Sequence, residues 1–218
     1  MDIKIVFAKI SSESEYMTDN LLRLICDERR ERINRFRFDI DRKLSLYSEL
    51  LVRYQAWKEL KLLNDQIVFE KSKNGKPLLW DHPEFHFNIS HTRNAIAIAF
   101  SNNEIGVDVE PIKPVNLAIA NRFFTSSEQE YITSHDNPEY SFYEVWTQKE
   151  AYIKYLGTGL STPLNSFNVL DDNLKAIMNT FFIGQYIVSV CCNLLINTNP
   201  IISVMTENEL HLLFSKIT

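Results

Sequence analysis

Ile105-Gly106-Val107-Asp108-Val109-Glu110 reads as a β-strand, rich in β-branched residues, with a glycine near its start and Pro111 closing it. Strand side chains alternate between faces, so Asp108 and Glu110 point one way while Val107 and Val109 point into packed interior. Two carboxylates one residue apart on an otherwise apolar strand call for a partner, because an unpaired buried charge is costly. Oxygen-only ligands suit a hard cation, Mg²⁺ above all, which takes one or two carboxylates and fills its other positions with water and phosphate oxygens. The plainer alternative is an edge strand whose polar side faces water, and the hexapeptide alone does not decide between them.

Downstream, Tyr140 to Leu156 has the period of an amphipathic helix, ended by Gly157 and Gly159. Trp146, Glu150 and Lys154 are four apart and share one face. Taken alone, Glu150 and Lys154 are a surface pair worth about 0.3–0.5 kcal/mol. If the helix lies along the Asp108/Glu110 strand, Glu150 becomes a third oxygen ligand and Lys154 a cation beside it, a set suited to Mg²⁺ and phosphate. Upstream, Asn88-Ile89-Ser90-His91-Thr92 ends a strand in groups able to bond a phosphate, Ser90 and His91 foremost. Gly75-Lys76-Pro77 fixes a lysine beside a tight turn, and is equally a plain hairpin turn. Arg29, Arg30, Arg32, Arg35 and Arg37 face a single Glu31, which makes either an anion clamp or a solvated helix face.

Farther out, the pattern predicts a strand over Ile3–Ile10, a helix over Leu21–Phe38 and a long amphipathic helix over Arg42–Leu63. Short strands follow at Ile67–Phe69, Phe85–Ser90 and Asn94–Phe100. After the Asp108 strand come a short helix over Leu117–Phe124 and a helix capped by Ser126 or Ser127. Beyond the Tyr140–Leu156 helix, strands are expected at Ser166–Leu170, Phe181–Gln185, Ile187–Cys192 and Ile201–Met205. The order of elements divides the chain into residues 1–103 and 104–218, each a long helix with antiparallel strands, without a residue-level repeat. The class is α+β.

The 218 residues, 45% hydrophobic and 23% charged, are those of an ordinary globular protein. A net charge of −5 argues against a general nucleic-acid binder. Cys26, Cys191 and Cys192 lack zinc-ligand spacing and fit a reducing compartment. With neither a signal peptide nor a bilayer-spanning run, the expectation is a cytoplasmic protein that does not engage membranes.

Gly75-Lys76-Pro77, Phe87-Asn88-Ile89-Ser90-His91-Thr92, Ile105 to Glu110, Arg122-Phe123-Phe124, and Trp146 with Lys149, Glu150, Ala151, Lys154, Gly157, Gly159 and Leu160 occur in one order and spacing. That series resembles the surfactin-synthetase-activating type of 4′-phosphopantetheinyl transferase, over about Asp27 to Ser166. The resemblance implies transfer of the phosphopantetheine arm of coenzyme A to a serine of an apo acyl or peptidyl carrier protein, with release of adenosine 3′,5′-bisphosphate. It implies a monomer of two similar lobes about a pseudo-twofold axis, with the active site between them. Asp108, Glu110 and Glu150 then correspond to Mg²⁺ ligands, and Lys154 to the lysine at the pyrophosphate. Ser90 and His91 correspond to contacts to coenzyme A phosphates, Gly75, Lys76 and Pro77 to contacts to its adenine nucleotide, and Arg29 and Arg32 to basic positions near its 3′-phosphate.

One position departs from the family pattern: an expected arginine falls on Leu44, with Arg42 and Lys43 just before it, and Arg42 is the expected replacement. Either Glu150 or a water on the metal can accept the serine proton. Two other readings fit less well, namely a different Mg²⁺-dependent nucleotide or phosphate transferase, and a non-catalytic binder of coenzyme A or carrier domains. Whether the carrier serves fatty acid, polyketide or nonribosomal peptide synthesis is not written in these motifs.

Overall fold

Strand alternation and helical periodicity produce nine strands and seven helices among the residues described in the computed structural model, which are 2–11, 20–196 and 198–217. β1 (Lys4–Lys9) precedes α1 (Asp27–Asn34) and the long α2 (Asp39–Leu60). β2 (Phe69–Lys71) and β3 (Pro77–Leu79) form a hairpin, followed by β4 (His86–Thr92), β5 (Ala95–Ser101) and β6 (Gly106–Pro111). Then come α3 (Ala120–Phe123), α4 (Ser126–Ser134), α5 (Pro138–Leu156), α6 (Asp172–Lys175), β7 (Met178–Ile183), β8 (Tyr186–Cys191), β9 (Ile201–Met205) and α7 (Glu207–Phe214). The α+β class expected from the sequence is the one observed.

Two sheets meet face to face between helices. One has the order β4-β5-β1-β9 and the other β6-β8-β7. β5 shows why: all its residues are buried, because both faces of its sheet are covered. Ile96, Ile98 and Phe100 enter the core under α2, beside Leu46 and Leu50. Ala95, Ala97 and Ala99 enter the layer between the sheets, where their small side chains face Val107, Val109, Val188 and Val190. α5 covers the outer face of the second sheet with Phe142, Val145 and Ala151. Each fully buried leucine or phenylalanine in these layers contributes about 1.5–3 kcal/mol.

β9 pairs parallel with β1, and α7 packs on α2 through Phe214 beside Tyr47. Glu207 at the start of α7 accepts from Tyr47 Oη and pairs with Lys43, each at 3.1 Å. The C-terminal segment thereby joins the sheet of the first half, although sequence order groups it with residues 104–218.

Several local expectations are corrected. Leu21–Phe38 is a one-turn 3₁₀ helix (Leu21–Leu24) and then α1, in which Ile33 alone is buried, because so basic a stretch has no apolar stripe to dock. Thr125, not Ser126 or Ser127, caps α4, in a reciprocal box with Glu128. β2 begins at Phe69 instead of Ile67. Ser166–Leu170 makes no strand, since the carbonyls of Leu164 and Phe167 are turned inward to the Lys149 ammonium at 2.8 and 2.6 Å.

β6 meets α5 at Gly106. A Cβ there would lie 2.0 Å from the Ala151 carbonyl oxygen and 2.4 Å from the Tyr155 amide nitrogen, both main-chain atoms that cannot swing aside. Gly106→Ala should therefore cost more than the ~1–3 kcal/mol of ordinary overpacking. At roughly 2–4 °C per kcal/mol for a chain of this size, its thermal midpoint should fall by about 6 °C or more. A midpoint within about 2 °C of wild type would show that helix and strand can separate freely.

Candidate active site

The close approach at Gly106 brings one face of α5 against the polar face of β6. Val107 and Val109 enter the core, so Asp108 and Glu110 emerge on the side that α5 covers. Lys154 Nζ donates to Asp108 Oδ1 at 2.7 Å and to Ser90 Oγ at 2.9 Å. Ser90 Oγ donates to the same Asp108 oxygen at 2.8 Å. Two residues distant in sequence, Ser90 of β4 and Lys154 of α5, thus close on the Asp108 carboxylate of β6.

The other oxygen, Asp108 Oδ2, is buried and has no hydrogen-bond partner. Such an orphan costs about 1–3 kcal/mol and marks a place for something positive. Burial first, then the Asp108 charge, pushes the Glu110 carboxyl up to about 7, with Lys113 and Lys154 opposing. Glu150 is raised by the same two causes in the same order. Asp108 and Glu110 on one strand and Glu150 on α5 are oxygen donors of the kind a hard cation takes, and the Asp108 charge raises the proton affinity of the other two. Among the described residues no three acidic, histidine or cysteine side chains are already drawn into a closed metal cage.

His91 stands exposed at the end of β4, where partial desolvation of its imidazole and the Lys154 ammonium hold its pKa below the usual value. Gly75 and its neighbours make the β2–β3 turn, and Gly75 takes φ +85°, a left-handed conformation. This turn touches the end of α5: Asn74 Nδ2 donates to the Gly157 carbonyl at 2.8 Å. Lys76 is engaged with Glu104 at 2.6 Å and the Ile105 carbonyl at 3.2 Å, so it ties the hairpin to the start of β6.

A cavity of about 1030 Å³ lies on the other side of β4, lined by Arg29, Arg32, Arg53, Phe69, Gly75 and Pro77 among others. Glu49 forms its base with Arg29 and Arg53, each at 2.9 Å, and the Arg53 guanidinium lies 5.2 Å over the Phe69 ring. Phe87 and Ile89 of β4 also line it. Arg42 and Lys43 lie outside this lining. Arg42 bonds the Asn34 carbonyl and Asp39, while Lys43 is buried against Glu207. Leu44, on the inward face of α2, is in the core.

Lys149 and Glu128 have no role legible in the sequence. They form a wholly buried ion pair at 2.8 Å, and Glu128 also accepts from the Thr125 and Val169 amides. Every polar atom of this pair is engaged, unlike Asp108, so it is structural. The available signal was the Thr125-x-x-Glu128 capping pattern, which places Glu128 in a first turn but does not predict its burial.

Residues 104–213 match the 4′-phosphopantetheinyl transferase superfamily, and residues 11–103 match the 4′-phosphopantetheinyl transferase N-terminal family. The chain belongs to the 4′-phosphopantetheinyl transferase superfamily. It is an enzyme of the Sfp-like type of that superfamily, as its relatives show. It is 41% identical to the 4′-phosphopantetheinyl transferase psf-1 of Bacillus pumilus, over 64% of this chain and 61% of that one. It is 37% identical to the 4′-phosphopantetheinyl transferase Sfp of Bacillus subtilis (strain 168), over 72% of this chain and 70% of that one. Against the 4′-phosphopantetheinyl transferase gsp of Aneurinibacillus migulanus the identity is 34%, over 76% and 70% respectively.

The raised Glu110 pKa has a direct consequence for the metal-free protein. Between the ordinary 4.5 and about 7 the folded state binds a proton that the unfolded state has lost, so stability falls as pH rises. The thermal midpoint in EDTA should be lower at pH 8 than at pH 5.5, and Glu110→Gln should flatten that slope. A midpoint that rises over this range in wild type but not in the variant would reverse the assignment.

Proposed function

We propose that this enzyme transfers 4′-phosphopantetheine from coenzyme A to a serine of an apo acyl or peptidyl carrier protein, giving holo-carrier and adenosine 3′,5′-bisphosphate. The observation that carries this reading is the meeting of Asp108, Ser90 and Lys154 beside an unpartnered Asp108 oxygen, in a chain of this family. Asp108, Glu110 and Glu150 would hold Mg²⁺, which when bound neutralises diphosphate charge and stabilises the leaving phosphate.

The chain's own residues do the rest. Lys154, held by Ser90 and Asp108, offers a fixed ammonium to the non-bridging oxygens, where charge grows in the transition state. Glu150, on the same helix face one turn before Lys154, accepts the proton of the attacking serine hydroxyl. Ser90 and His91 bind phosphate oxygens at the edge strand β4. The nucleotide occupies the cavity beyond that edge, with its adenine against Gly75-Lys76-Pro77 and its 3′-phosphate near Arg29 and Arg32, both of which line the cavity. Each helix-covered sheet is taken as one of two lobes about a pseudo-twofold axis, acting as a monomer in the cytoplasm.

Incubation with coenzyme A, Mg²⁺ and an apo carrier domain should add the mass of phosphopantetheine to the carrier. EDTA should abolish the transfer and excess Mg²⁺ restore it. Asp108→Asn should lower turnover by orders of magnitude with the fold intact, and Lys154→Met should lower turnover more than coenzyme A affinity. An unmodified carrier, or full turnover without a divalent ion, would sink this reading.

Two arginine variants locate the 3′-phosphate. Arg32→Ala should weaken coenzyme A about tenfold, the loss of roughly 1.4 kcal/mol, and leave dephospho-coenzyme A nearly unchanged. Arg42→Ala should have the smaller effect of the two, and the opposite ranking of dissociation constants would return the phosphate to Arg42.

A further inference from the structure

Among the described residues β4 and β6 are edge strands of different sheets, with ladders to β5 and β8 respectively. Two side chains bridge them. Ser90 Oγ donates to Asp108 Oδ1 at 2.8 Å, and Asn88 Oδ1 accepts from the Val107 main-chain N–H at 2.9 Å. Asn88 and Ser90 are two apart on β4 and face β6, while Phe87 and Ile89 between and beside them pack toward α2.

Asn88 is only 6% exposed, and its neighbour across the ladder is Ala99, in the apolar layer between the sheets. An apolar residue would pack there at no desolvation cost, so a buried carboxamide needs its hydrogen bond. We propose that Asn88 is a positioning residue for the phosphoryl-transfer centre. Its carboxamide oxygen stands in for the strand carbonyl that β6 lacks on this edge. It thereby fixes the Gly106–Val107 peptide unit, one residue before Asp108, and with it the position from which Asp108 meets Ser90 and Lys154. The proposal rests on the transferase reading above.

Val107 directly precedes Asp108, so its amide bond sets where the aspartate leaves the strand. β6 is otherwise held by β8 on one edge and by the α5 backbone at Gly106. Without Asn88, a buried N–H is left unpaired beside the acidic residues and the edge can move to find water. Loss of a group that orients a metal ligand typically weakens metal binding about 10- to 100-fold.

The test compares Asn88→Leu, similar in size but without an acceptor, with Asn88→Asp, which keeps one. Five readouts are taken: Mn²⁺ affinity of the free protein by paramagnetic resonance, coenzyme A affinity, turnover, thermal midpoint, and amide exchange at Val107 by NMR. Asn88→Leu should weaken Mn²⁺ binding about 10- to 100-fold, speed Val107 exchange at least about tenfold and slow turnover. Coenzyme A affinity should stay within about twofold. Asn88→Asp should restore slow exchange at Val107.

If Asn88→Leu does not fold, Asn88→Ser, too short to reach Val107, carries the same expectations. Unchanged Mn²⁺ affinity with fast Val107 exchange would overturn the proposal. So would parallel losses of midpoint, coenzyme A binding and exchange protection throughout the sheet, which a merely structural role produces. Should the wild type fail to modify any carrier, the transferase reading falls, while Mn²⁺ binding and Val107 exchange still decide whether Asn88 places Asp108.

Discussion

The main-chain contact between β6 and α5 at Gly106 is the constraint on which the rest of the molecule depends. No side chain fits between these two elements, and the nearest atoms are a carbonyl oxygen and an amide nitrogen of the helix. Because the elements touch at Ala151 and Tyr155, the residues just before these two, Glu150 and Lys154, are delivered to the strand's polar face. Lys154 reaches Asp108 for that reason, and Glu150 comes near enough to feel its charge. The glycine is required by proximity, not by backbone conformation.

What gathers there is electrostatically uneasy. Asp108 and Glu110 lie on one face of one strand, and Glu150 stands across from them. Burial first and then the Asp108 charge raise Glu110 and Glu150, and among the described residues only Lys154 and Ser90 bond the Asp108 carboxylate. The adjacent residue on α5 shows what a settled buried charge looks like. Lys149 has Glu128, two carbonyls and the Phe167 ring at 4.4 Å, and Glu128 has two main-chain amides. One helix therefore presents a satisfied charge on its inner side and an unsatisfied cluster on the next face. The difference separates a structural strut from a cluster of the kind found at functional sites.

Two-sheet construction decides how the halves of the site meet. The alanines of β5 allow the sheets to approach, and β4 and β6 meet as bare edges joined by side chains. Edge strands normally need protection from unwanted pairing. Here their polar groups are used in holding Ser90 and Asp108 together. On the far side of β4 the basic cavity is built around Glu49, which keeps Arg29 and Arg53 extended and leaves Arg32 unpaired with it.

By itself the sequence determined the α+β class, α2, α5 and most strands, because their apolar periods are long and unbroken. It also singled out Asp108, Glu110, Glu150 and Lys154, because charges at fixed spacing on apolar elements stand out against the pattern. It misplaced what lacks a period. The basic run before Asp39 breaks into two short pieces, and Ser166–Leu170 follows the demands of buried Lys149 instead of its own β propensity. Only the tertiary structure decided which basic residues are taken: Lys43 by Glu207 and Lys76 by Glu104, while Arg29 and Arg32 line the cavity. It alone revealed Asn88 as the bridge between edges and carried β9 and α7 back to the first sheet. The physical reason is common to all of these. Local periodicity fixes which way a side chain points on its own element, whereas its partner is set by packing between elements far apart in the chain.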